Sequence, residues 1–151
     1  FIFRVSGIFS EHGENFVKTM MRLSNKDTLS IINDQIMKPS SASFIANFIN
    51  TNLKKNNFNA LNSGLYNLTS MGSGISWYEF SKLIFREMLN QGLIEHIPKI
   101  KPIPSGEYKS NVNRPLFSVL SNDKLEKKFI LPNSNYIDQV KVELKTIYKN
   151  L

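Results

Sequence analysis

The chain has 151 residues, 41% hydrophobic and 11% aromatic, enough for one or two small packed units and too few for a large multidomain enzyme. Nineteen Lys and Arg against twelve Asp and Glu give a net charge of +7, and the absence of cysteine excludes disulfide scaffolds, thiolate zinc sites and cysteine nucleophiles. No apolar run approaches the ~20 residues that cross a bilayer and no charged-then-apolar leader is visible, so the composition predicts a soluble protein of a reducing cytoplasm, without membrane anchoring.

The first run, Phe1-Ile2-Phe3-Arg4-Val5, reads as a buried strand. It lacks an initiating Met and any preceding turn, which predicts the C-terminal piece of a longer protein. After the polar turn Ser10 to Glu14, Asn15 caps a helix whose apolar positions Phe16, Val17, Met20 and Met21 share one face. Thr28 to Ile32 reads as a second strand. The loop Asn33-Asp34-Gln35 follows, and Pro39-Ser40-Ser41 starts a helix from Ser43 to Leu53.

Beyond the surface loop Asn56 to Asn59, a third strand runs from Gly64 to Thr69, and Gly72-Ser73-Gly74 turns the chain into another helix. That helix opens on Ser76-Trp77-Tyr78-Glu79, a capping box in which Ser76 accepts from the Glu79 amide and the Glu79 carboxylate reaches back to Ser76. Its core face is Trp77, Phe80, Ile84 and Met88, with the indole expected to be largely buried. Pro98, Pro102 and Pro104 then mark an extended crossing segment, because proline neither continues a helix nor donates to a ladder. A loop leads to Arg114-Pro115. A short helix through Lys124 and Leu125 precedes a longer one with Ile137, Val140, Leu144, Ile147 and Tyr148 at helical spacing. Strands interleaved with helices predict an α/β fold, the C-terminal part of a Rossmann-like doubly wound sheet plus a small α/β lobe.

The positive charge suits nucleic acid, an anionic membrane or a phosphorylated small molecule. Only Lys54-Lys55 and Lys127-Lys128 are adjacent, so no basic stripe tracks a phosphate backbone, and neither nucleic acid nor membrane is expected as a partner. His12 and His96 stand at no ligand spacing, which argues against a metal site. No Gly-x-Gly-x-x-Gly follows a strand, and Gly72-Ser73-Gly74 is only a fragment of that pattern. Tyr78 and Lys82 have the spacing at which a lysine lowers a phenol's pKa for proton transfer to a carbonyl, but a capped helix with a solvated lysine explains them better. Asn67-Leu68-Thr69 matches a glycosylation acceptor by chance inside a strand. Asp34 and Gln35 lie just past a strand's carboxyl end, where open α/β sheets bind ligands, unless they are simply a solvated loop.

Four stretches in order resemble the C-terminal half of the dTDP-4-dehydrorhamnose reductase family of extended short-chain dehydrogenases. They are Phe9 with Asn15 to Met20; Ile32-Asn33-Asp34-Gln35 with Pro39-Ser40; Ser76 to Phe80; and Arg114-Pro115 with Ser118 and Leu120. The resemblance covers nearly the whole chain. It implies NADPH-dependent (or NADH-dependent) reduction of a dTDP-linked 4-keto-deoxysugar to dTDP-L-rhamnose, a precursor of cell-surface polysaccharide. The dinucleotide glycines and the Tyr-x-x-x-Lys pair then lie in an N-terminal half upstream of Phe1, and Tyr78 and Lys82 fall on a structural helix.

Residues 1–151 form the substrate-binding portion on this reading, with Gly7, Asp34, Gln35 and Arg114 facing the dTDP-sugar and no catalytic residue in the chain. Arg114 is matched to the diphosphate: its planar fork gives two parallel bonds to phosphate oxygens, and Pro115 holds its backbone extended. A second basic residue is common in the family where Asn113 stands. The family also usually has Thr-Ser-Trp in place of Val5-Ser6-Gly7, the Trp lining the sugar pocket, and a glycine in place of Met37. A homodimer is compatible with this reading. A catalytically silent relative that binds nucleotide sugars as a regulatory subunit is the alternative, and the upstream sequence separates the two.

Overall fold

Each of the longer helices starts at a side chain that replaces a missing intrahelical acceptor. The Asn15 side chain accepts from the Lys18 amide ahead of α1 (Phe16–Arg22), Ser41 from Phe44 ahead of α2 (Ala42–Lys54), Ser76 from Glu79 ahead of α3 (Trp77–Asn90) and Asn135 from Asp138 ahead of α5 (Tyr136–Lys149). Only half of the anticipated capping box forms. The Glu79 carboxylate turns along the exposed face to the Lys82 ammonium, 3.1 Å away, instead of back to Ser76.

A computed structural model describes residues 1–109 and 112–151. Between the helices lie short strands: β1 (Ile2–Arg4), β2 (Ile8–Phe9), β3 (Thr28–Ile32), β4 (Ile36–Met37), β5 (Ser40–Ser41), β6 (Leu65–Asn67), β7 (Ile75–Ser76), β8 (Lys99–Ile103) and β9 (Phe117–Ser118), with a one-turn helix α4 (Asp123–Glu126) before α5. The pairs β1–β6, β2–β5 and β3–β8 are all parallel, while β4 is paired antiparallel to β7 and parallel to β9. Parallel pairs joined through helical crossovers make the chain α/β.

Two hydrophobic cores hold these elements. One gathers Phe44 and Phe48 of α2, Tyr66 of β6, Leu68, Leu125 and Phe129, with Phe3 of β1 and Phe58 packed on it. The other joins α1, α3 and α5 over β3 through Val17, Met20, Ile31, Phe80, Ile84, Met88, Val140 and Leu144. The first core lies between β1–β6 and α2, and the second, larger core lies between the three helices and β3.

Four sequence expectations change. The first strand is not buried: Ile2 is 61% exposed, because β6 is its partner among the described residues and only Phe3 turns inward. The proline segment is a true strand, β8, with Pro102 opposite Ile31; proline is tolerated there because among the described residues β8 pairs along one side only. On α5, Ile137 and Tyr148 face outward, and Tyr136 and Gln139 take the inner face instead. Trp77 packs against the three-helix core but is only part-buried.

Candidate functional site

A cavity of about 1390 Å³ opens between the β1–β2 turn, the ends of β3 and β4, the segment leading from β8 to β9, and the facing sides of α1 and α3. Gly7, Gln35 and Arg114 line it. Gly7 adopts a left-handed φ of +58°, and a Cβ there would stand 2.9 Å from the Met37 sulfur and 3.3 Å from the Pro39 Cα. The left-handed backbone favours glycine there, and the Met37 side chain would have to shift to admit a Cβ. Beside it the Ser6 hydroxyl reaches Ser118 at 3.4 Å, and Ser118 donates to the Ile36 carbonyl at 3.3 Å, which ties the turn to β4 and β9.

Asp34 and Gln35 are adjacent in sequence and differ in what they do. The Asp34 carboxylate accepts the Ser105 amide at 2.9 Å and the Ser105 hydroxyl at 2.9 Å. The backbone amide of Ser105, more than its hydroxyl, holds the Asp34 carboxyl below the usual carboxylate range. Ser105 lines the cavity and Asp34 does not, so Asp34 positions the start of the segment that carries Lys109 and Arg114. Gln35, in contrast, is buried on the cavity wall, and its amide has no hydrogen-bond partner among the described residues.

The charge of the cavity is one-sided. Lys109 and Arg114 lie on its lining, and neither forms an ion pair among the described residues. Its acid, Glu14, is neutralised by a two-pronged bond to Arg22, which holds the Glu14 carboxyl below its usual range. What remains is a positive rim suited to an anionic ligand. No group of three or more His, Asp or Glu among the described residues is placed to hold a metal ion.

Several features of the site escape sequence reasoning. Lys109 is one of many scattered lysines, and Phe16 and Trp77 read simply as core residues, yet all three line the cavity. Helical periodicity identifies an inward face without showing where that face opens onto a cavity. Tyr78 and Lys82 are not on the lining. The Lys82 ammonium sits 5.1 Å from the Tyr78 ring centroid and is engaged with Glu79. Gly72 to Gly74 forms no phosphate cradle: a Cβ on Gly74 would meet Val119 at 2.5 Å and Ile36 at 2.9 Å, so this glycine serves close packing.

Parallel strand pairs joined through helices, with a cationic cavity beyond the strand ends, place the chain in the α/β class. Comparison with known proteins narrows this. The family model described as the RmlD substrate binding domain matches residues 1–149, and the chain belongs to that family. It is 34% identical over 137 residues to the dTDP-4-dehydrorhamnose reductase of Aggregatibacter actinomycetemcomitans, covering 89% of this chain and 46% of that one. The solved reductase ortholog of Clostridium acetobutylicum superposes with a TM-score of 0.81 at 28% identity, covering 97% of this chain and 48% of that chain. The Bacillus anthracis reductase, solved in complex with NADP, gives 0.78 at 25% identity over 96% and 47%. The chain thus spans about half the length of the relatives it matches. Among the described residues no helix is long and apolar enough to cross a membrane.

Proposed function

We propose that residues 1–151 are the substrate-binding portion of a cytoplasmic nucleotide-sugar reductase that converts dTDP-4-dehydro-L-rhamnose to dTDP-L-rhamnose. The observation that carries this reading is the convergence of Gly7, Gln35 and Arg114 on one positively charged cavity in a member of this family. Arg114 takes the diphosphate, since its guanidinium is free of ion pairs among the described residues and a planar fork matches phosphate oxygens. Gly7 brings bare backbone to the sugar, Gln35 offers an amide, and Asp34 holds Ser105 and the following segment in place. NADPH, or NADH, supplies the hydride when bound. None of the described residues forms a dinucleotide cradle, and the glycine-rich site and the Tyr-x-x-x-Lys pair are assigned to an N-terminal half of the same protein.

The two departures from the family pattern are one feature in space. Gly7 stands where the family carries Trp and Met37 where it carries glycine, and the Met37 sulfur occupies the room beside Gly7. A stacking surface for the sugar is thereby exchanged for a thioether wall, which supports a deoxysugar whose contact face differs from the family's.

Calorimetric titration of a dTDP-linked deoxysugar tests the assignment. Charge-assisted bonds contribute about 1.5–3 kcal/mol, so Arg114→Ala is expected to weaken binding roughly ten- to hundredfold. Arg114→Lys keeps the charge and loses the fork. Equal affinity of the wild type and Arg114→Ala overturns the role of this residue.

A further inference from the structure

Glu14, Lys109 and Arg114 are the only charged side chains on the cavity wall among the described residues, and their charges do not balance. Glu14 is engaged by the two-pronged bond from Arg22. Two positive charges are left, and among the described residues neither side chain forms an ion pair or donates a hydrogen bond.

Both cations belong to the segment leading from β8 to β9, and that segment is tied down at each end. At its start the Asp34 carboxylate accepts the Ser105 amide and hydroxyl, each at 2.9 Å; at its end the Leu116 carbonyl accepts the Ile36 amide at 2.8 Å. The two anchoring residues, Asp34 and Ile36, share one short loop. Lys109 comes four residues after Ser105, and Arg114 two residues before Leu116, so neither cation is far from a fixed point of the backbone. Anchoring of this kind lowers the ordering cost of holding both side chains at one ligand.

The number of free charges limits the ligand. A sugar joined to a nucleoside through a diphosphate carries one negative charge on each phosphate. The planar fork of Arg114 matches the oxygens of one phosphate, which leaves the charge of the other uncompensated. A lysine suits that remainder, because its compact ammonium on a flexible stem reaches a second phosphate without a fixed geometry.

We propose that Lys109 is the second anion-binding residue of this cavity, and that Lys109 and Arg114 together select a ligand with two separate negative charges over one with a single charge. The ligand class is then a nucleoside-diphosphate sugar and not a nucleoside-monophosphate sugar. This assignment rests on the nucleotide-sugar reading above and adds to it the residue that reads the ligand's second charge.

The chain, folded as judged by circular dichroism, is titrated calorimetrically with dTDP-glucose and with the single-charge analogue thymidine methyl phosphate, at low and at physiological ionic strength. Wild type should prefer dTDP-glucose. Lys109→Gln should bind dTDP-glucose roughly three- to tenfold more weakly, the size expected of one partly solvated charge contact, and should bind the methyl phosphate nearly as before. Its dTDP-glucose affinity should also fall less steeply with salt, since one screened attraction is gone. Lys109→Arg keeps the charge and should stay within about twofold of the wild type. Lys109 is exposed, so the melting temperature should not move in either variant.

If Lys109→Gln binds dTDP-glucose as tightly as the wild type, or Lys109→Arg loses as much as Lys109→Gln, the role of Lys109 is overturned. The nucleotide-sugar reading stands in that case provided that Arg114→Ala weakens binding. If dTDP-glucose gives no heat with the folded wild-type chain, both are overturned.

Discussion

Two neighbouring residues, Asp34 and Gln35, carry opposite fates from one loop. Asp34 spends both carboxylate oxygens on Ser105, and this contact has a pH signature. Its carboxyl is held below the ordinary value of 3.8, so the charged form is favoured by folding. Its stabilisation is therefore complete above pH 3.8 and is lost as pH falls through the lower native value. Melting temperatures of the wild type and Asp34→Ala should differ by a constant amount near neutrality and converge in acid; a difference that persists below that window would show that the carboxylate charge is not what holds Ser105. Gly7 and Met37 make the same point about neighbours in space. Both positions stand out in the sequence as departures from the family pattern, and the sulfur stands 2.9 Å from where a Cβ on Gly7 would be, so each residue limits the size of the other.

At the scale of elements, local chemistry predicts starts better than ends. The caps at Asn15 and Ser76 follow from short polar side chains ahead of apolar positions at helical spacing, and both form as read. Strand β3 likewise matches Thr28–Ile32 residue for residue. The helix expected from Ser43 starts one residue earlier, capped by Ser41. What the pattern misses is set by neighbours: the proline segment becomes β8 only because β3 offers it a free side, and Glu79 abandons its reciprocal bond because Lys82 is one turn away. The aromatic core beside α2 is the most consequential packing unit. Phe48 is fully buried, with Phe3, Phe58 and Phe129 rings within 5.4 to 6.3 Å. Truncating such a ring removes apolar burial and leaves a cavity, so Phe48→Ala should cost about 3–5 kcal/mol in denaturant unfolding. A loss below about 1 kcal/mol would mean that the cluster repacks freely.

For the whole molecule, the proposed division of labour makes a direct prediction. Hydride delivery needs a dinucleotide cradle and a proton donor, and the described residues offer neither: Gly74 is packed against Val119 and Ile36, and Lys82 is bound to Glu79 away from the cavity. The isolated chain mixed with NADPH and a dTDP-keto-sugar should bind the sugar nucleotide without oxidising NADPH. Any turnover above that of buffer would place reducing chemistry within this chain.

The amino-acid sequence by itself determined the α/β class, the helix starts, the absence of cysteine chemistry and the family, because each depends on residue types at short spacing. Tertiary structure decided how the candidate site residues come together and which of them reach the cavity. Asp34 accepts the Ser105 amide from beyond β8, and Gly7 closes on Met37, both contacts between segments far apart along the chain. Local propensity carries no information about such pairs. They exist because two cores bring the strand ends together, and a cavity is a property of what several elements leave unfilled.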